Sequence, residues 1–387
     1  MSRKGTKIKR YGSIYGRNNG SFIMLLIMAA GVVLFGVAGW FLYTPVYNFI
    51  MGLGGESPVV TDPSVSVNQP HQDSSDSVNS DPVIVKSNGT AALYIPAQKL
   101  ADREFLVSAL DSAVEAGFNT VVTDAKDASG KVMYRSVNGI ASSAGIAAEN
   151  VYDVAEIAGI IKEKGLSPAA TLHAFRDSLA PAAQRDMAVH YYDTEIYWFD
   201  NSPELGGKPW LDPYSESARK YLLEMVEELA ESGFETIFLD SVQFPSGVGL
   251  DKAGFADENG KSKADILKDF IKEAEEIANQ AECRIVLCSS TDVMAPGAET
   301  ENDWLYGGSA ADLYTENVAL RLDEDKEEWE SRLNMMNEFT DSKLVAMIPA
   351  YEPDGKLSPV NELVANIDQT TASGYLLYSP NGHYKFN

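Results

Sequence analysis

Asp240 ends the apolar run Thr236-Ile237-Phe238-Leu239, and a carboxylate there is costly to bury unless it has a partner or a task. Other polar groups follow apolar runs in the same way. Asp124 is followed closely by Lys126 and Asp127, His173 lies within Ser167–Phe175, Asp292 comes just past Arg284–Ser289, and Glu316, Tyr351 and Tyr378 close later segments. Carboxylates that converge from several strand ends suit cleavage of a glycosidic bond. One acid protonates the leaving oxygen while a second carboxylate attacks or activates water. The two then need unequal pKa values, which a partly buried mouth can provide. Plainer roles fit the same residues. Asp124 equally suits an ion pair with Lys126, Asp292 a helix cap, Glu316 a solvated loop, and His173 a hydrogen-bonded position that touches substrate. Tyr191-Tyr192, Tyr197-Trp198-Phe199 and Trp210 form an aromatic stretch whose rings could stack on sugar faces or pack beneath a loop.

Positioning such groups requires a regular scaffold, and the chain from Ala91 onward supplies its pattern. Short apolar runs occur at Ala91–Ala97, Thr120–Asp124, Ser167–Phe175, Thr236–Asp240, Arg284–Ser289, Ala311–Tyr314, Leu344–Pro349 and Gly374–Tyr378. Between most of them the apolar residues recur at helical spacing, as in 103–116, 217–231, 263–280 and 360–371. Gly117, Gly165 and Gly233 stand where helices should stop. Strand–helix alternation of this length predicts an α/β domain with a parallel sheet, and eight units favour a closed (β/α)8 barrel, a TIM barrel, over an open sheet. In that architecture the reactive groups gather at the C-terminal strand ends. No GxGxxG or GxxxxGK[ST] opens a helix, and HExxH, CxxC and GxSxG are absent, so no nucleotide cofactor, transition metal or serine elbow is expected. An acidic cleft could hold a hard cation such as Ca2+. Cys283 and Cys288 read as lying on opposite faces of one strand, a separation that disfavours a bridge.

The N-terminal part differs in kind. Residues 1–21 hold Arg3, Lys4, Lys7, Lys9, Arg10 and Arg17 without an acid, whereas the whole chain carries a net charge of -25. Residues 22–43 form an uncharged apolar stretch able to span a hydrocarbon core of about 30 Å, with Trp40 and Tyr43 near its outer end. The expected order is a cytoplasmic basic tail, one transmembrane helix, a disordered polar stalk over 44–89, and an extracellular barrel over 90–387 at the plasma membrane. An acidic ectodomain repels phosphate backbones, which argues against nucleic acid as a partner.

Several segments together resemble a bacterial glycosyl hydrolase domain family, a glycoside-hydrolase-like barrel group. They are Asp124-Ala125-Lys126-Asp127-Ala128-Ser129-Gly130-Lys131-Val132 with Tyr134 and Ser136, Phe175-Arg176-Asp177, Trp210-Leu211-Asp212-Pro213-Tyr214-Ser215, and Phe238-Leu239-Asp240-Ser241-Val242-Gln243-Phe244-Pro245, with Asp292-Val293 at the strand-5 position. The resemblance implies an amylase-like arrangement in which Asp240 is the principal carboxylate and Asp292 its partner acid. Asp124, Lys126, His173, Trp198 and Tyr351 are expected to bind substrate. The chain departs from the family at Ser241 and Gln243, where Tyr and Arg are usual, at Thr171, where an arginine is common, and in Leu313-Tyr314-Thr315-Glu316-Asn317. These changes predict that no cation stands beside Asp240. The implied function is hydrolysis of a polysaccharide or cell-wall glycan at the membrane surface, without a cofactor. The alternative is a barrel that binds wall glycan without cutting it.

Overall fold

Alternating apolar and β-branched residues form eight parallel strands that close on themselves in the computed structural model. In chain order they are β1 (Ala91–Tyr94), β2 (Thr120–Lys126), β3 (Ser167–His173), β4 (Thr236–Asp240), β5 (Arg284–Ser290), β6 (Asn317–Arg321), β7 (Lys343–Pro349) and β8 (Gly374–Tyr378). Each pairs with the next, and β1 pairs with both β2 and β8, so the sheet is a closed barrel. The structure describes residues 89–386 except 144, 257–259 and 324, all within the unit Val78–Asn387. The basic tail, the apolar stretch 22–43 and all but the last residue of the stalk 44–89 lie outside the described residues. Among the described residues no helix is long and apolar enough to cross a membrane.

Helices cover the barrel: α1 (Arg103–Glu115), α2 (Val154–Glu163), α3 (Glu216–Glu231), α4 (Lys263–Gln280), α5 (Glu299–Tyr306), α6 (Trp329–Phe339) and α7 (Val360–Ile367). Their starts carry side-chain caps where the sequence offers them. Asp102, Asp153 and Ser215 each accept a main-chain N–H of the first turn, and Ser262 with Asp265 completes a capping box on α4. Gly117, Gly165 and Gly233 take the positive φ at which α1, α2 and α3 stop. The buried stripes of these helices, such as Leu222, Met225, Val226 and Leu229 on α3, fill the layer between helices and strands.

Inside the barrel each strand contributes one residue to an apolar plug: Ala92, Val122, Ala169, Phe238, Val286, Ala319, Val345 and Leu376. Strand side chains alternate with period two, so the residue two positions further on faces the same interior at the C-terminal mouth. That step names Tyr94, Asp124, Thr171, Asp240, Cys288, Arg321, Met347 and Tyr378, and all eight line one cavity there.

Two expectations are corrected. The run Ala311–Tyr314 is not a strand: Ala310–Leu313 forms a 3-10 turn capped by Ser309, and β6 begins only at Asn317. The three buried residues of β6 are flanked by Asn317 and Arg321, whose polarity disguises the strand. In consequence Glu316 precedes β6 instead of following it, and pairs with Lys343 Nζ at 2.7 Å on the far side of the barrel. The two cysteines also divide. Cys283 lies before β5 in the outer core, Cys288 faces the barrel interior, and both are free.

Candidate active site

The cavity at the C-terminal mouth has a volume of about 670 Å3. Asp124 stands on β2 within it. Tyr94 Oη donates to Asp124 Oδ2, and Thr171 Oγ1 donates to Oδ1 at 3.0 Å. Burial raises the Asp124 pKa above the ordinary aspartate value, and these donors and the nearby His173 only partly offset it.

Asp240 stands on β4 in the opposite situation. Its Oδ1 accepts from Ser241 Oγ at 2.9 Å and lies 3.5 Å from His173 Nδ1, while the Arg321 guanidinium donates to Oδ2. Burial would raise this carboxyl, but His173, Arg321 and the Ser241 hydroxyl together hold it below the ordinary value. The cation expected to be missing beside Asp240 is therefore present, supplied by β6 and not by position 243. Sequence reading missed Arg321 because it misplaced that strand. The sequence signal is its spacing of two from Ala319 in the Asn317–Arg321 run.

His173 and Tyr351 also line the cavity. Burial lowers the His173 pKa, Lys126 and Arg321 act in the same direction, and Asp240 and Asp124 oppose them. The ring Tyr378 packs on Tyr94 with centroids 4.6 Å apart, so apolar faces reach the mouth from strand ends.

The remaining expected residues are elsewhere. Lys126 follows Asp124 by two and should share its face, but the β2–β3 register slips between them. The bulge turns Lys126 out of the barrel. It is wholly buried, donates to the carbonyls of His173 and Ala174 at 2.6 and 3.0 Å, and pairs with Asp177 Oδ2 at 3.0 Å. It cannot touch substrate there. Trp198 is also fully buried, against Val189 and Trp210, with Nε1 donating to the Gly249 carbonyl at 3.0 Å. Its ring is core beneath the loop and has no face free for a sugar. Asp292 is exposed in the turn Thr291–Met294 and receives a hydrogen bond from Ser290 Oγ at 3.1 Å. It does not line the cavity, so Asp240 meets Asp124 there and not Asp292. Among the described residues no three His, Cys, Asp or Glu side chains are grouped as a metal site would require.

The motif residues outside the cavity turn out to brace it. Asp177 Oδ1 accepts the N–H groups of Leu179 and Ala180, and a Cβ at Gly130 would stand only 2.0 Å from that oxygen. Glu228 of α3 accepts from Tyr134 Oη, Ser136 Oγ and the main-chain N–H groups of Val137 and Asn138 at 2.6–3.0 Å.

The barrel fold has a counterpart among solved structures. The PgaB (BpsB) glycoside hydrolase domain from Bordetella bronchiseptica superposes with a TM-score of 0.54 over 76% of this chain and 94% of its own, at 14% identity, and so shares the fold. A hypothetical protein from Ruminiclostridium thermocellum is 25% identical over 50% of this chain and 96% of its own, with a TM-score of 0.44. No curated protein matches. Residues 92–308, from β1 through α5 and with them Asp124, Asp240 and His173, fit the family model described as "Putative glycosyl hydrolase domain", and the chain belongs to that family.

Proposed function

We propose that this protein hydrolyses glycosidic bonds of a polysaccharide or cell-wall glycan, with Asp124 as the acid and Asp240 as the ionised group that drives attack on the anomeric carbon. The observation that carries this reading is the opposite displacement of two carboxyls in one cavity. Burial pushes Asp124 up, whereas Arg321, His173 and Ser241 outweigh burial and hold Asp240 down. Carboxyls whose environments separate them in this way divide into a proton donor and a charged partner. Family membership supports the hydrolytic class. The uncharged stretch 22–43 behind a basic tail supports a single-pass anchor, with the barrel displayed outside the plasma membrane.

Glycan binding without cleavage is the second reading. It is favoured by the engagement of both Asp240 oxygens, one by Ser241 and one by Arg321. Incubating the protein with a panel of bacterial wall and extracellular polysaccharides separates the two. New reducing ends from the parent, lost in a folded Asp240→Asn variant, support hydrolysis. Retention of glycan by both proteins without products supports the binding reading.

A further inference from the structure

Both oxygens of Asp240 are occupied by protein donors, an arrangement better suited to holding a third group than to forming a bond to carbon. His173 on β3 is that group. Its Nδ1 lies 3.5 Å from Asp240 Oδ1 and 3.2 Å from Ser241 Oγ. Ser241 makes this contact from a left-handed backbone with φ of 55°, a conformation unfavourable for a residue with a Cβ. Such strain at the mouth of a cavity, on the residue that bridges two titratable groups, points to a task for the bridge.

The hydrogens can be assigned by elimination. The Ser241 hydroxyl has one hydrogen, and its bond to the Asp240 carboxylate uses it, because an ionised carboxylate can only accept. Toward His173 the same oxygen must accept. Both neighbours of Nδ1 are therefore acceptors, and the neutral ring carries its hydrogen on Nδ1 and its lone pair on Nε2. Nε2 has no hydrogen-bond partner among the described residues, and the ring lines the cavity beside Asp124, Thr171 and Asp240. Burial lowers the His173 pKa, with Lys126 and Arg321 acting the same way and Asp240 and Asp124 opposing, a direction that favours the neutral ring at neutral pH.

We infer that His173 is the catalytic base, taking a proton on Nε2 from the attacking water while Asp240 and Ser241 hold the ring through Nδ1. This rests on the hydrolytic reading above. In the step, one O–H bond of water breaks and its proton passes to Nε2. The water oxygen bonds to the anomeric carbon, and the bond from that carbon to the leaving oxygen breaks. The leaving oxygen keeps the electron pair and takes the Asp124 proton. The imidazolium formed faces the Asp240 carboxylate, which stabilises it, and it then returns its proton to solvent while Asp124 takes one back, restoring both groups. A single displacement of this kind inverts the anomeric configuration.

The test has two arms, both on the full chain in detergent. The protein has four histidines, His71, His173, His190 and His383, so histidine-selective 15N NMR can assign each by substitution. The expected spectrum near pH 7 has His173 neutral, protonated on Nδ1 and bare on Nε2. The second arm follows the product anomer by 1H NMR on any glycan the protein cleaves, and compares His173→Gln. Inversion is expected, with kcat falling about 10²–10⁴-fold, KM changing little, and the acid limb of the pH profile lost. An Nε2–H tautomer, an imidazolium near pH 7, retention of configuration, or full activity in His173→Gln overturns the base role alone. Cleavage of no glycan at all overturns the hydrolytic reading and the base role with it.

Discussion

Arg321 is half-exposed, yet it is one of the groups that set the charge of Asp240. Replacing it by leucine removes a cation that favours the ionised carboxylate, so the Asp240 pKa rises. The same cation also lowers the His173 pKa, so with His173 as the base the acid limb of the pH–rate profile should move to higher pH in Arg321→Leu, together with the Asp240 titration. A 13C titration of the aspartate carboxyls reads the same displacement without substrate. The environment of Asp124 leads to a different expectation. As the proton donor to a leaving sugar, Asp124→Asn should lower kcat by about 10²–10⁴-fold on natural glycans. Loss should be much smaller on aryl glycosides whose leaving phenolate needs no proton. Equal loss on both would assign Asp124 to binding instead. At this scale Asp240, Asp124 and His173 were legible as polar residues ending or interrupting apolar runs. Arg321 was not, because a charged residue at the end of a short strand looks like the start of a loop.

At the scale of elements, the slip in register at β2 separates chemistry from bracing. A strict alternation would have put Asp124 and Lys126 on one face, and the bulge sends one inward and the other outward. Lys126 then ties β2 to the segment after β3 through Asp177, with both side chains wholly buried. Removing one partner leaves a buried charge unpaired, so Lys126→Met or Asp177→Asn should cost about 3–5 kcal/mol in urea unfolding. The double replacement Lys126→Met with Asp177→Leu should recover most of that loss, because two apolar groups leave no charge stranded. Failure of the double variant to recover would mean that the hydrogen bonds to His173, Ala174, Leu179 and Ala180 matter more than the ion pair. No periodicity in one strand announces a bulge; it is set by how β2 lies against β3. Trp198 teaches the same point, since its burial depends on the fold of the loop around it and not on its neighbours in sequence.

For the whole molecule, the barrel gathers into one mouth residues as distant in sequence as Tyr94 and Tyr378, and the plug beneath them closes the interior. The proposed anchor predicts that the full chain partitions with membranes and resists extraction at alkaline carbonate, whereas a chain starting at Val78 is recovered in the soluble fraction with an unchanged thermal transition. Release of the full chain by carbonate would remove the spanning reading. The sequence by itself determined the alternation of strands and helices, the helix stops at Gly117, Gly165 and Gly233, and the placing of Asp124 and Asp240 in the C-terminal halves of their strands, because local periodicity and capping chemistry are written in adjacent residues. Only the tertiary structure decided that Asp124 and not Asp292 shares the cavity with Asp240, that Arg321 supplies its cation, and that Lys126 and Trp198 belong to the interior. Those outcomes depend on strand register, on closure of the sheet and on which faces the loops cover, and these are settled by contacts between residues far apart in the chain.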